Sequence, residues 1–180
     1  AVIVVSAETE AVLRARGYEP DARPPAALAV ADTFQVYRSF DKPVTGVRAT
    51  LAAWAAADTL IYLDSIGASV EGRPILAVKL GDAADSPARP NVLFMGTHHA
   101  REWVATEMAM KLLRWLADSL PPAVRGSRDI WVIPVENPDG YQYTFTTERL
   151  WRKNRRANGD GTFGVDPNRN YPAFWGLDDA

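Results

Sequence analysis

The chain has 180 residues, which is enough for one domain with a hydrophobic core. Hydrophobic residues make up 47% and charged residues 23%, as in ordinary globular proteins, and the net charge of −2 provides no general attraction to nucleic acid or anionic membranes. The absence of cysteine excludes disulfide bonds and thiolate chemistry. The longest apolar run, LAAWAAADTLIYL, is shorter than the roughly 20 residues that a membrane-spanning helix needs. We therefore expect neither a membrane nor a nucleic acid as a partner.

The beginning of the chain is predicted to form a small appendage. Residues 2–5 are apolar and of strand length, residues 7–16 suit a helix, and Gly17 is a typical helix stop. The proline-rich stretch that follows is typical of an extended linker. We therefore divide the chain into a βα appendage with its linker at 1–32 and a main body at 33–180.

The main body alternates between helical and strand patterns. The predicted elements, in chain order, are a helix over 44–57, strands over 60–67 and 73–81 joined as a hairpin, a strand over 91–98, a helix from just after Arg101 to Pro121, and a strand over 129–135. The apolar run NVLFMGTH suits a central strand that is buried on both faces. This alternation predicts an α/β fold with a mixed, largely parallel central sheet and helices on both faces.

Two local patterns complete the prediction of the fold. The helix after Arg101 has one apolar stripe at helical spacing, formed by Val104, Met108, Leu112, Trp115 or Leu116, and Leu120. The segment NPDGY, at 137–141, has the proline and glycine of a turn, and we assign it no catalytic role.

The stretch GTHHAREW, at 96–103, contains the only two histidines of the sequence. His99 and Glu102 are three residues apart at a strand-to-helix junction, so both side chains can converge on one point, and imidazole and carboxylate are ligands that zinc accepts. His98 points to the opposite face of the strand end, and the residue three positions after it, Arg101, cannot bind a metal. A lone H-x-x-E motif is frequent by chance. Glu102 is also favourable near the positive end of a helix dipole without any metal.

Three further segments follow in order, namely NPDGY, LWRKNR and GVDPNRNY. Together with HHAREW they resemble the zinc metallocarboxypeptidases of the carboxypeptidase A, B and T type, and HHAREW is similar to the bacterial, carboxypeptidase T-like branch. The resemblance runs from about residue 60 to the end, with weaker similarity back to about residue 33. It implies the fold of that family and a zinc-dependent hydrolase that removes C-terminal residues from peptides.

The resemblance also implies roles for individual residues. His99 and Glu102 match the first two zinc ligands of the family, and Asp166 matches the carboxylate that orients the ligand histidine. Arg152 matches the arginine that stabilises the oxyanion during hydrolysis. The substrate-binding positions of the family are matched by Arg101, Asn168 and Arg169.

These roles agree with the chemistry of the side chains. A planar guanidinium can hold the terminal carboxylate of a peptide through two hydrogen bonds, and an amide beside it can add another. Removal of C-terminal residues follows, because an internal peptide bond has no such anion. A second arginine near the scissile carbonyl counters charge that develops only in the transition state.

Other parts of the family's machinery cannot be located in the sequence. The family has a third zinc ligand, which is a histidine, as well as a general-base glutamate and a mobile tyrosine, but no histidine follows His99. The chain begins without a methionine or a visible signal peptide and ends among dense aromatics. We therefore expect it to be the N-terminal part of a longer, secreted protein, with residues 1–32 similar to the end of a propeptide. Alone, it is expected to bind zinc weakly, to have little or no activity and to associate with the missing C-terminal half.

Alternative interpretations also have to be considered. The chain could be a non-catalytic peptide-binding relative, or a zinc-dependent amidohydrolase or deacylase on the same scaffold, although NRN with an upstream WRK favours the peptidase. ERLWRKNRR could be a basic patch for nucleic acid, but the acidic isoelectric point and the motif order disfavour that function. NGDGTFGVD is not an EF-hand loop, because Arg169 stands where the bidentate glutamate is needed.

Overall fold

The fold is known from a computed structural model, which describes residues 11, 14–17, 36–81 and 89–172. The chain divides into two compact units, 1–31 and 32–180. In the first unit, Gly17 has a φ of +81° and its amide donates to the carbonyl of Arg14 at 3.0 Å, so the helical residues end at the predicted glycine. The predicted strand at 2–5 and the proline-rich linker lie outside the described residues. The role of this unit as an appendage to a catalytic domain stays a prediction.

The described part of the second unit contains a mixed four-stranded sheet. Its strands are β1 (Ile61–Ala68), β2 (Pro74–Leu80), β3 (Asn91–Met95) and β4 (Asp129–Ile133), in the order β1-β2-β4-β3. β1 and β2 form the predicted antiparallel hairpin, β2 pairs antiparallel with β4, and β3 pairs parallel with β4. The predicted mixed α/β fold is confirmed. Only one of these three pairings is parallel, so this part of the sheet is less parallel than the sequence predicts.

The place of β3 in the sheet differs from the prediction. The sequence predicts a central strand over 91–98, buried on both faces, but β3 ends at Met95 and lies at an edge of the described sheet. Leu93, Phe94 and Met95 are 53%, 37% and 44% exposed. The buried strands are β2 and β4 instead. An apolar run indicates that a strand can be buried. It does not identify which strands of the sheet are buried by neighbouring strands and helices.

The helices of the described residues are α1 (Val47–Ala57), α2 (Trp103–Ser119), α3 (Pro122–Arg125) and α4 (Pro138–Thr146). α1 begins later than predicted, because Val44 has a φ of +70° and cannot be part of a helix. α2 begins soon after Arg101 and ends before Pro121, as predicted. None of the described helices has the length and hydropathy needed to cross a membrane.

The predicted apolar stripe of α2 is only partly buried. Leu116 lies in the core, and Leu112 and Leu120 pack against it, but the other members of the stripe face solvent. Val104, Met108 and Trp115 are 59%, 60% and 58% exposed. The buried face has its own helical spacing and consists of Trp103, Thr106, Ala109, Met110, Leu113, Leu116 and Ala117. Small residues on that face allow a close approach to the sheet, since a Cβ at Gly96 would lie only 3.2 Å from the Cβ of Ala109. The larger apolar residues of the other face dominate a pattern read from the sequence alone.

The NPDGY segment begins a helix and is not a turn, which corrects the prediction. Asn137 is the N-cap of α4, and its Oδ1 accepts a hydrogen bond from the Gly140 amide at 3.1 Å. Pro138 occupies the first turn, where its missing amide hydrogen is not needed. Gly140 is required by close approach, because a Cβ there would lie 2.4 Å from the carbonyl oxygen of Lys153. The same three residue types favour a turn or a helix start, and the tertiary contacts select the helix.

Asp139, in the first turn of α4, joins this helix to the β1–β2 hairpin. Its carboxylate accepts hydrogen bonds from Ser69 Oγ at 2.7 Å, from the Glu71 amide at 2.9 Å and from Arg73 Nη1 at 2.9 Å. The Asp139 side chain is only 2% exposed. A buried carboxylate with several donors, one of them charged, is satisfied as long as all of these partners stay in place.

Replacing Asp139 by Asn should lower the free energy of unfolding by about 2–4 kcal/mol, because Arg73 then loses a buried counter-charge. Urea denaturation followed by tryptophan fluorescence measures this change. The matched control is Asp64→Asn, an exposed carboxylate outside this group of contacts, whose loss of charge should change stability by less than about 1 kcal/mol. Equal effects of the two substitutions would contradict the assigned role of Asp139.

Candidate active site

The candidate site begins at the carboxyl ends of the neighbouring parallel strands β3 and β4. Between β3 and the two histidines, Thr97 has a φ of +57°, which a β-branched residue rarely adopts. Its buried hydroxyl is held 2.6 Å from Thr106 Oγ1 in α2. This strained residue ends the extended course of the chain, so that His98 and His99 lie in a turn before α2 begins.

His99 and Glu102 face each other across this turn. His99 Nδ1 and Glu102 Oε1 are 2.9 Å apart. Glu102 is the N-cap of α2, one position before the helical turn in which the sequence places it, and its side chain makes no capping hydrogen bond. The other ring nitrogen of His99, Nε2, lies 3.2 Å from Asp166 Oδ1. One imidazole nitrogen therefore faces a candidate metal ligand, and the other faces a candidate orienting carboxylate.

Asp166 connects this pair to Arg152. Its Oδ2 accepts a hydrogen bond from Arg152 Nε at 2.8 Å, and its Oδ1 accepts one from the Asn168 amide at 2.9 Å. Burial acts to raise the pKa of Asp166, but the hydrogen bonds from Arg152 and the Asn168 amide outweigh burial, so the pKa lies below its ordinary value. The carboxylate is ionised at neutral pH and can hold the guanidinium and an imidazole N–H together.

Arg152 is positioned by the loop that follows it. The Asn154 amide donates to the carbonyl of Val165 at 3.0 Å, and Asn154 Oδ1 accepts from the Val165 amide at 2.8 Å, so the two ends of the loop are joined. Gly164 has a φ of +93°, and its amide donates within the same loop. The Ala100 amide donates to the carbonyl of Arg152 at 3.0 Å and joins the histidine turn to this loop.

Asn168 and Arg169 follow Asp166 in a short 3-10 turn, Pro167–Arg169, of which Asp166 is the N-cap. The Arg169 amide donates to the carbonyl of Asp166 at 3.0 Å, so the backbone of both residues is tied to the carboxylate that contacts His99. Both are exposed, as is the third substrate-binding candidate, Arg101, which lies in the turn before α2.

The structure therefore brings His99, Glu102, Asp166 and Arg152 into one hydrogen-bonded set, with Asn168 and Arg169 attached to it through the backbone. Within the described part of the chain, no group of three or more His, Cys, Asp or Glu side chains could hold a metal ion. The candidate site thus supplies two ligands, His99 and Glu102.

Sequence reasoning missed Asn137. Its Nδ2 donates to the carbonyl of His98 at 3.2 Å and to that of Lys153 at 3.0 Å, so one side chain joins the histidine turn, the Arg152 loop and α4. Asparagine before proline is an N-cap signal that could have revealed the start of α4. The two long-range hydrogen bonds left no signal in the sequence.

His98 has partners of its own. Its Nε2 lies 2.6 Å from the hydroxyl of Tyr171 and 2.8 Å from Glu136 Oε2. The side chains of the two adjacent histidines therefore face different groups. The predicted alternation along a strand end is not the cause, because both histidines lie in the turn after β3.

Comparison with known proteins identifies the family. The family model described as zinc carboxypeptidase matches residues 48–179. The chain belongs to this family. Among its relatives, a zinc carboxypeptidase of Saccharothrix mutabilis subsp. capreolus is 37% identical over 148 residues, which cover 78% of this chain and 33% of the relative. Metallocarboxypeptidase A of Trichophyton tonsurans is 34% identical over 178 residues, which cover 95% of this chain and 39% of the relative.

Two solved structures share the fold of this chain. The carboxypeptidase A from Helicoverpa armigera superposes with a TM-score of 0.70 at 31% identity, over 80% of this chain and 36% of that one. Bovine thrombin-activatable fibrinolysis inhibitor, in complex with tick carboxypeptidase inhibitor, superposes with a TM-score of 0.65 at 24% identity, over 77% and 45% of the two chains, which supports the fold alone. The predicted family and fold are confirmed. This carboxypeptidase family chain spans 33% and 39% of the lengths of the two relatives above.

Replacing Asp166 by Asn should lower the free energy of unfolding at pH 7 by about 1–3 kcal/mol, because an amide hydrogen then faces the Arg152 N–H or the His99 ring. Folding lowers the pKa of Asp166, so its stabilising effect is present above the ordinary carboxyl pKa of about 4 and is lost as the pH falls below it. Urea unfolding curves of wild type and variant should therefore converge between about pH 6 and pH 3. The exposed control Asp64→Asn should show a small difference throughout. A difference for Asp166→Asn that does not change with pH would contradict the ionised bridge.

Proposed function

We propose that the chain is the N-terminal part of a zinc metallocarboxypeptidase, which hydrolyses the C-terminal peptide bond of peptides and proteins. The observation that carries this proposal is the double contact of Asp166 with His99 and Arg152. One carboxylate orients a candidate metal ligand and also places a candidate oxyanion-stabilising cation beside it. Membership of the zinc carboxypeptidase family supports this assignment of roles.

The His99–Glu102 pair fits a zinc ion by its chemistry. Imidazole and carboxylate are common zinc ligands, and Nδ1 and Oε1 already face each other at 2.9 Å. Asp166 beside Nε2 favours the tautomer that carries its proton on Nε2, which leaves the lone pair of Nδ1 for a metal. Zinc held here would polarise the scissile carbonyl and lower the pKa of a water molecule. A catalytic zinc needs a further protein ligand, and His98 is not proposed as that ligand because it faces Glu136 and Tyr171.

Arg152 would counter the negative charge that develops on the carbonyl oxygen of the scissile bond. Its Nε is bound to Asp166, whereas its side chain is 31% exposed, so other N–H groups stay accessible to a substrate. Because the Asp166 contact orients the guanidinium before substrate binds, little reorganisation is needed during the reaction.

Asn168 and Arg169 would hold the terminal carboxylate of the substrate, and Arg101 would line the same binding surface. The 3-10 turn presents both residues to solvent directly after the carboxylate that contacts His99. The guanidinium of Arg169 and the amide of the adjacent Asn168 can both donate hydrogen bonds to a free carboxylate. Their position explains a preference for C-terminal residues.

The proposal extends to the partners of the chain. Peptides and proteins with a free C-terminus are the substrates, and a C-terminal half of the same protein supplies the remaining ligand and the general base. Secretion is proposed from the resemblance to the family, and residues 1–32 are proposed to be the end of a propeptide.

In the full-length protein encoded by the same reading frame, Arg169→Met should lower kcat/KM for a hippuryl-type peptide by a factor of about 30 to several thousand. This factor corresponds to a loss of roughly 2–5 kcal/mol of transition-state stabilisation. The matched control is Arg128→Met, an exposed arginine on the segment before β4, which should leave kcat/KM unchanged. C-terminally amidated peptide should be a poor substrate of the wild type.

Other outcomes identify the alternatives. Equal hydrolysis of free and amidated peptides would contradict a carboxypeptidase. Hydrolysis of acylated amino acids without hydrolysis of peptides would favour a deacylase. Peptide binding without any turnover would favour a non-catalytic relative. The purified 180-residue chain, assayed alongside, should show little or no turnover, because the His99–Glu102 pair supplies two of the three protein ligands of a catalytic zinc site.

A further inference from the structure

A second cluster of metal-binding side chains lies beside the candidate active site, on residues to which the proposed function gives no role. His98 follows β3 and Glu136 follows β4, the parallel neighbour of β3. The Glu136 amide donates to the carbonyl of Gly96 at 3.1 Å, which keeps the two strand ends side by side. Tyr171 reaches the same place from the segment after the 3-10 turn.

Three atoms of types that bind metals lie close together in this cluster. His98 Nε2 is 2.8 Å from Glu136 Oε2 and 2.6 Å from the Tyr171 hydroxyl. The ring centroids of His98 and Tyr171 lie 6.1 Å apart, so the phenol contacts the imidazole through its hydroxyl. The spacing between imidazole nitrogen and carboxylate oxygen is close to the 2.9 Å of the His99–Glu102 pair.

The Glu136 carboxylate distinguishes this cluster from a simple hydrogen-bonded network. Its Oε2 is inaccessible to solvent and has no hydrogen-bond partner among the described residues, although His98 Nε2 lies 2.8 Å away. The two atoms are therefore close without the direction that a hydrogen bond requires. A buried carboxylate oxygen without a partner is costly, and a cation shared with the imidazole would remove that cost.

We propose that His98 and Glu136, with the Tyr171 hydroxyl beside them, form a second cation site, which takes a divalent first-row transition metal. An imidazole nitrogen with a carboxylate oxygen suits zinc or cobalt, whereas calcium and magnesium prefer oxygen ligands alone. The His98 and Glu136 side chains are 23% and 28% exposed, so water completes the coordination. The site is separate from the His99–Glu102 pair and does not depend on the proposed peptidase activity.

The test is a titration of the purified chain with Co²⁺, followed by visible absorption, and with Zn²⁺, followed by equilibrium dialysis. The variant His99→Gln removes the other histidine, and it should still bind one ion. Adding Glu136→Gln to that variant should weaken binding by about tenfold or more, because the anionic ligand is lost while the shape of the side chain is kept. The exposed control Glu148→Gln, added in the same way, should leave binding unchanged.

A second measurement keeps the result separate from any failure to fold. Thermal unfolding is recorded for each variant with and without Zn²⁺. Zinc should raise the Tm of His99→Gln and of its Glu148→Gln derivative, but not that of its Glu136→Gln derivative. Loss of all binding in His99→Gln, or unchanged binding and Tm shift after Glu136→Gln, would overturn the second site.

Discussion

The carboxylate of Asp166 is the group on which the candidate active site depends. It contacts the imidazole of His99 with one oxygen and the guanidinium of Arg152 with the other, and it also caps the 3-10 turn that follows. Three parts of the chain that are far apart in sequence are thereby held in one arrangement. These donors stabilise the ionised form of the carboxylate, and the pKa of Asp166 is therefore lowered.

Polar residues at the start of α4 supply the scaffold around that carboxylate. Asn137 caps the helix and binds the carbonyls of His98 and Lys153, whereas Asp139 binds the β1–β2 hairpin. Both side chains are buried, so each is stable only while its partners are present. Buried polar groups of this kind specify one arrangement of neighbouring segments, which a surface of apolar contacts alone would leave less defined.

The two adjacent histidines lie just after a single strained residue and contact different groups. Thr97, in the left-handed region, turns the chain at the end of β3. His99 is then directed to Glu102 and Asp166, and His98 to the opposite group of partners. Two imidazoles thus lie next to two different sets of carboxylates. One set belongs to the proposed zinc site, and the other has no role in the proposed peptidase.

The sequence alone predicted the family, the β1–β2 hairpin and the limits of α2 correctly. It also singled out the HHAREW, WRKNR and DPNRNY motifs, whose residues supply the candidate site. These features depend on local periodicity, on proline and glycine, and on motif order, all of which are encoded over short stretches of chain. The edge position of β3, the buried side of α2 and the helix start at NPDGY were decided only by the tertiary structure. The contacts of Asp139 and the cluster at His98 were decided there as well. Each of these depends on which distant segment packs against a residue, and a one-dimensional pattern carries no record of that partner.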